Sequence, residues 1–495
     1  MKQLLLSSLP LLLAPAMAHA APDAAPQTTA ASPSPLAAKP KSAPKPAELI
    51  PGGRKGPEGV PQNMRWADDW GQKPKAQAPF LDRIKHIDLT DRDDVYLSLG
   101  GGLRVYYTDW SHSTLGQKAN DANAPVQSRA RLYADLHATQ YLRAYVELGD
   151  NREYGEKLVT GPNNDRFDVQ QAFVDLTLPL GDKGQITLRP GRYEMPLGNG
   201  KLVGVREGLN MRFSYQGLQA SYILPGKLAV QAFSVRPVNI KTGSFDDGPN
   251  HNASFMGVYA SAPSALNAIT AGLSADLYFY EMNKASVTTR EGSGIDHRQN
   301  WGVRLWKKGK HVDLDLETDL QRGHYRGEPI HAYAVMFEGG YTLAQQPWSP
   351  RLGLRADVFS GDGNLTDGRA ETFVAAAPRL PLTSEAAFFN LSNLVDIYPS
   401  LTVKPRKDVS IMAGPDFLRR QTSADGVYIG PAGASLKPYA GSLSIGTSYN
   451  LEASWQATRR LQFKLYETYL AASDGLKADG GRNGNYFGLM ADWKL

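Results

Sequence analysis

Hydrophobic and polar residues alternate along the last part of the chain, 441–495. Within 443–456 the odd-numbered positions are mostly apolar, from Leu443 to Trp455, and the even-numbered positions are small or polar. The final residues, 487–495, repeat this two-residue period. Successive side chains of a β-strand point to opposite faces, whereas an amphipathic helix repeats about every 3.6 residues. The pattern therefore predicts β-strands that have one apolar and one polar face.

The same period begins near Asp94 and predicts eighteen strands in all. Their ranges are 95–110, 127–139, 140–150, 167–179, 184–193, 209–223, 226–236, 252–262, 269–282, 298–307, 309–322, 329–343, 349–360, 396–405, 407–419, 441–457, 459–472 and 482–495. Short connections lie at 181–184, 225–226, 307–310, 404–407 and 458–460. Long connections lie at 111–126, 151–166, 194–208, 237–251, 283–297, 361–395, 420–440 and 473–481.

This alternation of short and long connections is typical of an outer-membrane barrel, in which short turns face the periplasm and long loops face outward. Eighteen strands give nine outer loops and eight inner turns when the modest 323–328 connection counts as outer. A soluble β-sandwich, the alternative, gives no reason for the alternation. The sequence therefore predicts an all-β fold, an 18-stranded antiparallel transmembrane β-barrel.

In such a barrel the apolar positions face lipid and the polar positions face the lumen. A charged Arg or Lys on the lipid face at mid-depth costs about 2–4 kcal/mol, so arginines on polar faces should point inward. These arginines are Arg104, Arg129, Arg131, Arg143, Arg189, Arg304 and Arg355. Two roles are open for them: pairing with lumenal carboxylates such as Asp135 and Glu317 to brace the wall, or binding an anionic solute.

Composition narrows the class of protein. The 495 residues contain no cysteine, which excludes disulfides and thiolate metal sites. The mean hydropathy of −0.38 is low for a bundle of membrane helices but suits a barrel with a polar lumen. The net charge of +5, from 54 Lys and Arg against 49 Asp and Glu, is too small to predict nucleic-acid binding. No motif predicts a cofactor, a metal centre or a catalytic nucleophile.

The first 80 residues differ from the rest. Lys2, the apolar stretch 4–13 and the small residues 18–20 form the pattern of a secretory signal peptide, 1–20. Residues 21–80 are rich in Ala, Pro, Ser and Lys and predict a disordered linker. The barrel is then assigned to 81–495, with an outer-membrane location in a Gram-negative cell.

Two long connections have features of inward-folding loops. Gly198, Gly200 and Gly204 give one of them conformational freedom. The 361–395 connection is rich in apolar residues, namely Phe373, Val374, Ala375–Ala377, Leu380, Leu382, Phe388 and Phe389. We expect it to pack into the mouth of the barrel; an exposed protein-docking surface is the alternative. The run 362–368 resembles part of a calcium loop but departs from the EF-hand spacing, so it predicts a polar loop tip.

Several segments resemble the alginate-export family of outer-membrane proteins. The stretch 389–401, FNLSNLVDIYPSL, is similar to the family's N-L-hydrophobic-D-hydrophobic-x-P-S-L pattern. Further similar segments are 417–420, 425–433, 451–455, 189–192, 210–213 and 233–238. The resemblance implies an 18-stranded barrel with an electropositive pore, in agreement with the strand count. It also implies that Arg189, Arg192, Arg212 and Arg236 lie near the constriction.

These observations predict a channel for passive transport of an anionic carbohydrate or exopolysaccharide, such as the polyuronate that the type member exports. The alternatives are a porin for small anionic or hydrophilic solutes, an outer-membrane barrel enzyme, and a scaffold with a plugged lumen. Expected partners are membrane lipid, lipopolysaccharide, the transported solute and periplasmic secretion proteins.

Overall fold

The computed structural model describes residues 61–75, 77–158, 163–379, 383–430, 435–436 and 442–495. The predicted signal peptide and residues 21–60 of the predicted linker lie outside the described residues. No helix in the described part of the chain is long and apolar enough to span a membrane.

Eighteen antiparallel strands, named β1 to β18 in chain order, form a closed sheet. Their bounds are Tyr96–Trp110, Val126–Thr139, Leu142–Tyr154, Asp165–Pro179, Gln185–Tyr193, Tyr215–Leu224, Leu228–Asn239, Ala253–Ala262, Ser274–Thr289, Gly292–Lys308, Val312–Tyr325, Ala332–Thr342, Arg351–Phe359, Leu394–Arg406, Val409–Arg419, Ser444–Gln456, Leu461–Ala472 and Gly484–Lys494. Each strand pairs with its neighbour in the chain, and β1 pairs with β18 from Gly102 opposite Lys494 to Trp110 opposite Tyr486. The predicted fold class is confirmed.

Short elements complete the secondary structure. In the described part of the chain, two helices, α1 and α2, span Phe80–Arg83 and Asp474–Ala478, and 3-10 turns span Arg65–Ala67 and Gly181–Lys183. Two-residue strands lie at Ile87–Asp88, Gly248–Pro249, Glu328–Pro329, Val427–Tyr428 and Ser435–Leu436.

The two faces of the sheet follow the sequence pattern. In β2, Leu132 is 60% exposed on the outside, whereas Tyr133 is 4% exposed on the inside. In β11, Leu320 is half exposed and Asp319 is buried. The apolar side chains of the outer face are exposed in the isolated barrel and become buried when lipid covers them. The membrane thus provides the burial that a soluble sheet obtains by packing against a second sheet or a helix layer.

One predicted outer loop is absent, which corrects the assignment of 283–297. β9 continues to Thr289 and β10 begins at Gly292, so only Arg290 and Glu291 separate them. The backbone ladder therefore extends through a segment where the sequence shows no clean alternation. Where the strands extend above the membrane, neither face has to be apolar. The alternation of apolar and polar residues is therefore lost there, although the backbone hydrogen bonds between β9 and β10 continue.

Two further boundaries differ because chain segments enter the lumen. Residues 209–214, predicted as the start of a strand, precede β6 as irregular chain. There Asn210 donates from Nδ2 to the backbone oxygens of Ser128 and Arg152, 3.0 Å away in each case. Residues 61–70, predicted as part of the linker, contain the buried side chains of Met64 and Trp66. Composition averaged over the whole linker conceals this short apolar element.

Candidate pore constriction

Two loops fold into the barrel and contact each other. They are residues 194–214, between β5 and β6, and residues 360–393, between β13 and β14. The amide of Gly204 donates to the oxygen of Ala377 at 2.8 Å, and the amide of Arg379 donates to Lys201 at 3.2 Å. A side chain at Gly204 would place its Cβ 2.5 Å from the oxygen of Gly200, so the close approach requires glycine.

The 360–393 loop reaches across the lumen between opposite walls. Near one wall, Gln321 of β11 donates to the oxygen of Val374 at 2.9 Å. Near the other, Tyr106 of β1 donates to the carboxylate of Glu385 at 3.0 Å. Its aromatic residues, including Phe373, are buried. The structure agrees with the expectation of internal packing; Leu380 and Leu382 lie outside the described residues.

A group of predicted arginines surrounds Glu207 of the 194–214 loop. Arg129 and Arg212 approach its carboxylate at 2.6 and 3.1 Å, and Arg104 at 3.7 Å. Arg104 and Arg129 also donate to the backbone oxygen of Leu209. Burial alone would raise the pKa of Glu207, but these guanidinium groups hold it well below its usual range. The arginines therefore fasten this loop to the wall formed by β1 and β2.

Arg143 and Arg189 hold residues 61–70, which we call the lumenal segment. Arg143 donates to the oxygen of Trp66 at 2.6 Å, and the guanidinium of Arg189 lies 4.5 Å from the Trp66 ring centre. Arg189 also makes a bidentate pair with Asp175 at 2.6 and 2.7 Å. The segment thus occupies part of the lumen beside the arginine-bearing wall.

Further contacts fix the lumenal segment at both ends. Asp68 accepts hydrogen bonds from the hydroxyl of Tyr133 at 2.8 Å and from the amide of Gln62 at 2.7 Å. Arg65 donates to the backbone oxygen of the last residue, Leu495, at 2.6 Å. The predicted linker therefore ends as an ordered element inside the barrel.

The remaining predicted arginines lie elsewhere. Arg131 pairs with Glu147 at 2.8 Å, Arg304 with Asp276 at 2.7 Å, and Arg355 with Asp396 at 2.8 Å. Arg192 and Arg236 do not join the group around Glu207. In the strand pairing, Arg192 of β5 and Arg236 of β7 each lie opposite Gln216 of β6. Among the described residues, Arg236 donates to the backbone oxygens of Asn250, His251 and Ala253. Arg192 is three residues from Arg189, and an odd spacing in a strand places two side chains on opposite faces.

The predicted arginines are therefore mostly committed to the protein itself. All of them except Arg236 have a carboxylate oxygen within 3.9 Å. A bidentate or buried pair stabilises both charges and leaves few donors for a solute. Of the two roles that the sequence left open, this geometry favours bracing.

A cavity of about 460 Å³ lies between the inward loops and the wall, and Arg206 and Arg379 are among the residues that line it. Its lining includes Met64, Pro196, Asn199, Arg206, Glu207, Glu338, Arg351, Arg355, Arg379, Thr383, Ser384, Tyr398, Ser400 and Glu452. Within the described ranges, neither Arg206 nor Arg379 has a carboxylate oxygen within 4.0 Å. Arg206 lies over the Phe213 ring at 4.9 Å, and its buried Nε has no hydrogen-bond partner within the described ranges.

Sequence reasoning missed Arg206 and Arg379 because both lie in segments assigned to outer loops. No periodicity marks the direction of a loop side chain. The glycines at 198, 200 and 204 and the apolar residues of the 361–395 connection indicate that these loops fold inward, but not which of their side chains face the cavity. Burial lowers the pKa of Arg206, because its guanidinium is removed from water without a nearby negative charge to compensate it.

A closed barrel with an apolar belt, inward loops and a charged lumen defines an outer-membrane channel. The profile of the family described as Alginate export matches residues 95–490. The chain belongs to this family, which confirms the resemblance seen in its sequence and its outer-membrane location.

Solved structures of Pseudomonas aeruginosa channels share the fold. OpdO has a TM-score of 0.54 at 9% identity, covering 81% of this chain and 97% of its own. OccK9 (OpdG) has a TM-score of 0.54 at 12% identity, with coverages of 81% and 98%. The outer-membrane protein OpdK has a TM-score of 0.53 at 13% identity, with coverages of 81% and 98%. No curated protein sequence matches this chain.

Proposed function

We propose that this channel passes an anionic carbohydrate, such as a polyuronate chain, by passive transport and without catalysis. The observation that carries the proposal is the pair Arg206 and Arg379, which line the cavity and have no carboxylate partner among the described residues. A guanidinium that is partly removed from water favours an anion, and its planar fork matches a carboxylate.

The rest of the lining suits a polyhydroxylated solute. Thr383 and Ser384 offer hydroxyl groups, and Glu338 and Glu452 offer hydrogen-bond acceptors. The cavity volume of about 460 Å³ falls within the range of about 300–1,000 Å³ that is usual for small-molecule sites. Acidic residues beside the free arginines keep binding weak, so that each sugar unit is released as the next one enters.

The test is ion selectivity in planar bilayers, from reversal potentials across a salt gradient. We expect the wild type to prefer anions and oligouronates to block its current, whereas neutral oligosaccharides of equal length block it less. The double variant Arg206→Gln and Arg379→Gln should lose most of the block and part of the anion preference. Arg369→Gln, an exposed arginine of the same 360–393 loop, is the matched control.

Cation selectivity of the wild type would contradict the proposal. Equal block by neutral and anionic sugars would instead favour the alternative, a porin for small hydrophilic solutes. We further propose that lipid and lipopolysaccharide cover the apolar belt and that periplasmic secretion proteins deliver the solute.

A further inference from the structure

Four aspartates meet at the outer end of the barrel, apart from the cavity. Asp165 and Asp168 lie at the start of β4, and Asp246 and Asp247 lie in the 240–252 connection between β7 and β8. One carboxylate oxygen of each residue lies within 4.8 Å of the others. Oxygens that bind a single Ca²⁺ at about 2.3–2.6 Å are at most about 5 Å apart, so this spacing fits one ion.

Asp165 supplies a second, separate observation. It is 2% exposed, and its Oδ1 atom is buried without a hydrogen-bond partner among the residues that the structure describes. Asn151 lies directly opposite it across β3 and β4 and is fully buried. In the described part of the chain, neither polar atom of its side chain has a hydrogen-bond partner. Burying an ionised carboxylate without a partner is costly unless a cation or a proton compensates it.

The protein supplies little of that compensation. Arg192 is the nearest cation, with its Nη1 atom 3.9 Å from Asp168, and it already donates to the backbone oxygens of Val169 and Asp247. Asp168 accepts hydrogen bonds from the amides of Asp246 and Asp247 at 2.9 and 3.2 Å. Burial and the neighbouring Asp168 carboxylate raise the pKa of Asp247, against the amide of Lys241, which lowers it.

We propose that these four aspartates bind one divalent cation of the Ca²⁺ class and thereby fasten the 240–252 connection to β4. An all-oxygen set selects hard cations over Zn²⁺, which prefers nitrogen and sulfur. Ca²⁺ tolerates the irregular geometry of ligands from two separate segments better than Mg²⁺, which demands a near-ideal octahedron. The site is independent of the proposed substrate, because it shares no residue with the cavity lining.

Isothermal titration calorimetry tests the proposal, with Ca²⁺ titrated into the refolded full-length protein after EDTA has removed bound metal ions. We expect one equivalent of Ca²⁺ to bind the wild type, and Asp165→Asn or Asp246→Asn to weaken binding by about tenfold or more, since affinity follows ligand charge. Asp479→Asn, which changes an exposed aspartate of another outer loop, is the control.

A second readout uses the wild type alone. Ca²⁺ should protect the 240–252 connection from trypsin, which cleaves after the exposed Lys241, and EDTA should remove the protection. Absence of Ca²⁺ binding by the wild type would overturn the proposal. Binding unchanged in both variants, or Mg²⁺ binding tighter than Ca²⁺, would overturn it equally.

Discussion

Replacing Trp66 by alanine is expected to release the lumenal segment while the barrel stays folded. Trp66 is 5% exposed, stacks beside Arg189 at 4.5 Å and lies in the segment rather than in a strand. Truncating a buried Trp to Ala costs about 3–5 kcal/mol, of which the cation–π contact accounts for about 0.5–2 kcal/mol. Trp66 takes no part in the hydrogen bonding of the eighteen strands. We therefore expect the lost free energy to weaken the docking of the lumenal segment and not the folding of the barrel.

A loss of about 3 kcal/mol lowers the docking equilibrium by roughly a hundredfold. Limited trypsin digestion with mass spectrometry measures this, because Arg65 is buried only while the segment is docked. Single-channel conductance gives a second measurement, since the released segment no longer narrows the lumen. We expect faster cleavage after Arg65 and a larger conductance in Trp66→Ala.

Two controls sharpen the result. Phe80→Ala removes an aromatic ring that is 64% exposed in α1 and should change neither measurement. Trp66→Phe should retain most of the docking, because the indole nitrogen of Trp66 has no hydrogen-bond partner among the described residues. If Trp66→Ala leaves Arg65 protected and conductance unchanged, Trp66 does not anchor the segment and the reasoning fails.

Three further predictions concern the inward loops and the wall. Burial raises the pKa of Glu385 to about 7, so docking of the 360–393 loop is most favourable at low pH, where the carboxyl group is protonated. This contribution is lost as pH rises from the unfolded-state pKa of about 4.3 to about 7, which corresponds to about 4 kcal/mol. The conductance should therefore rise over that pH range, and Glu385→Gln should abolish the rise. Gly204→Ala should cost about 1–3 kcal/mol by separating the two loops, measured as a lower unfolding temperature, whereas Gly363→Ala has space for its methyl group and should not. Arg189→Gln should cost about 1–3 kcal/mol in denaturant unfolding, because it removes the bidentate pair and leaves the buried Asp175 carboxylate with the guanidinium of Arg143, 3.5 Å away; an unchanged midpoint would contradict this expectation.

The sequence by itself determined the barrel and the direction of its strand side chains. Leu132 faces outward and Tyr133 faces inward because successive side chains of a strand point to opposite faces. Lipid on the outer face requires apolar residues there, so the alternation in the sequence is regular. All eighteen strands were therefore predicted, and their ends were uncertain where polar residues occupy both faces, as beyond Lys284 in β9.

Only the tertiary structure decided which charges meet in the lumen. Arg129 and Glu207 are 78 residues apart, and the loop that carries Glu207 reaches Arg129 only after the barrel closes around it. The same folding leaves Arg206, the residue before Glu207, beside a cavity and without a carboxylate partner among the described residues. Trp66 entered the lumen for a related reason, since its partners come from strands far along the chain. Local sequence patterns cannot predict such long-range contacts, because the contacts depend on the path of the loops and not on the two-residue period of the strands.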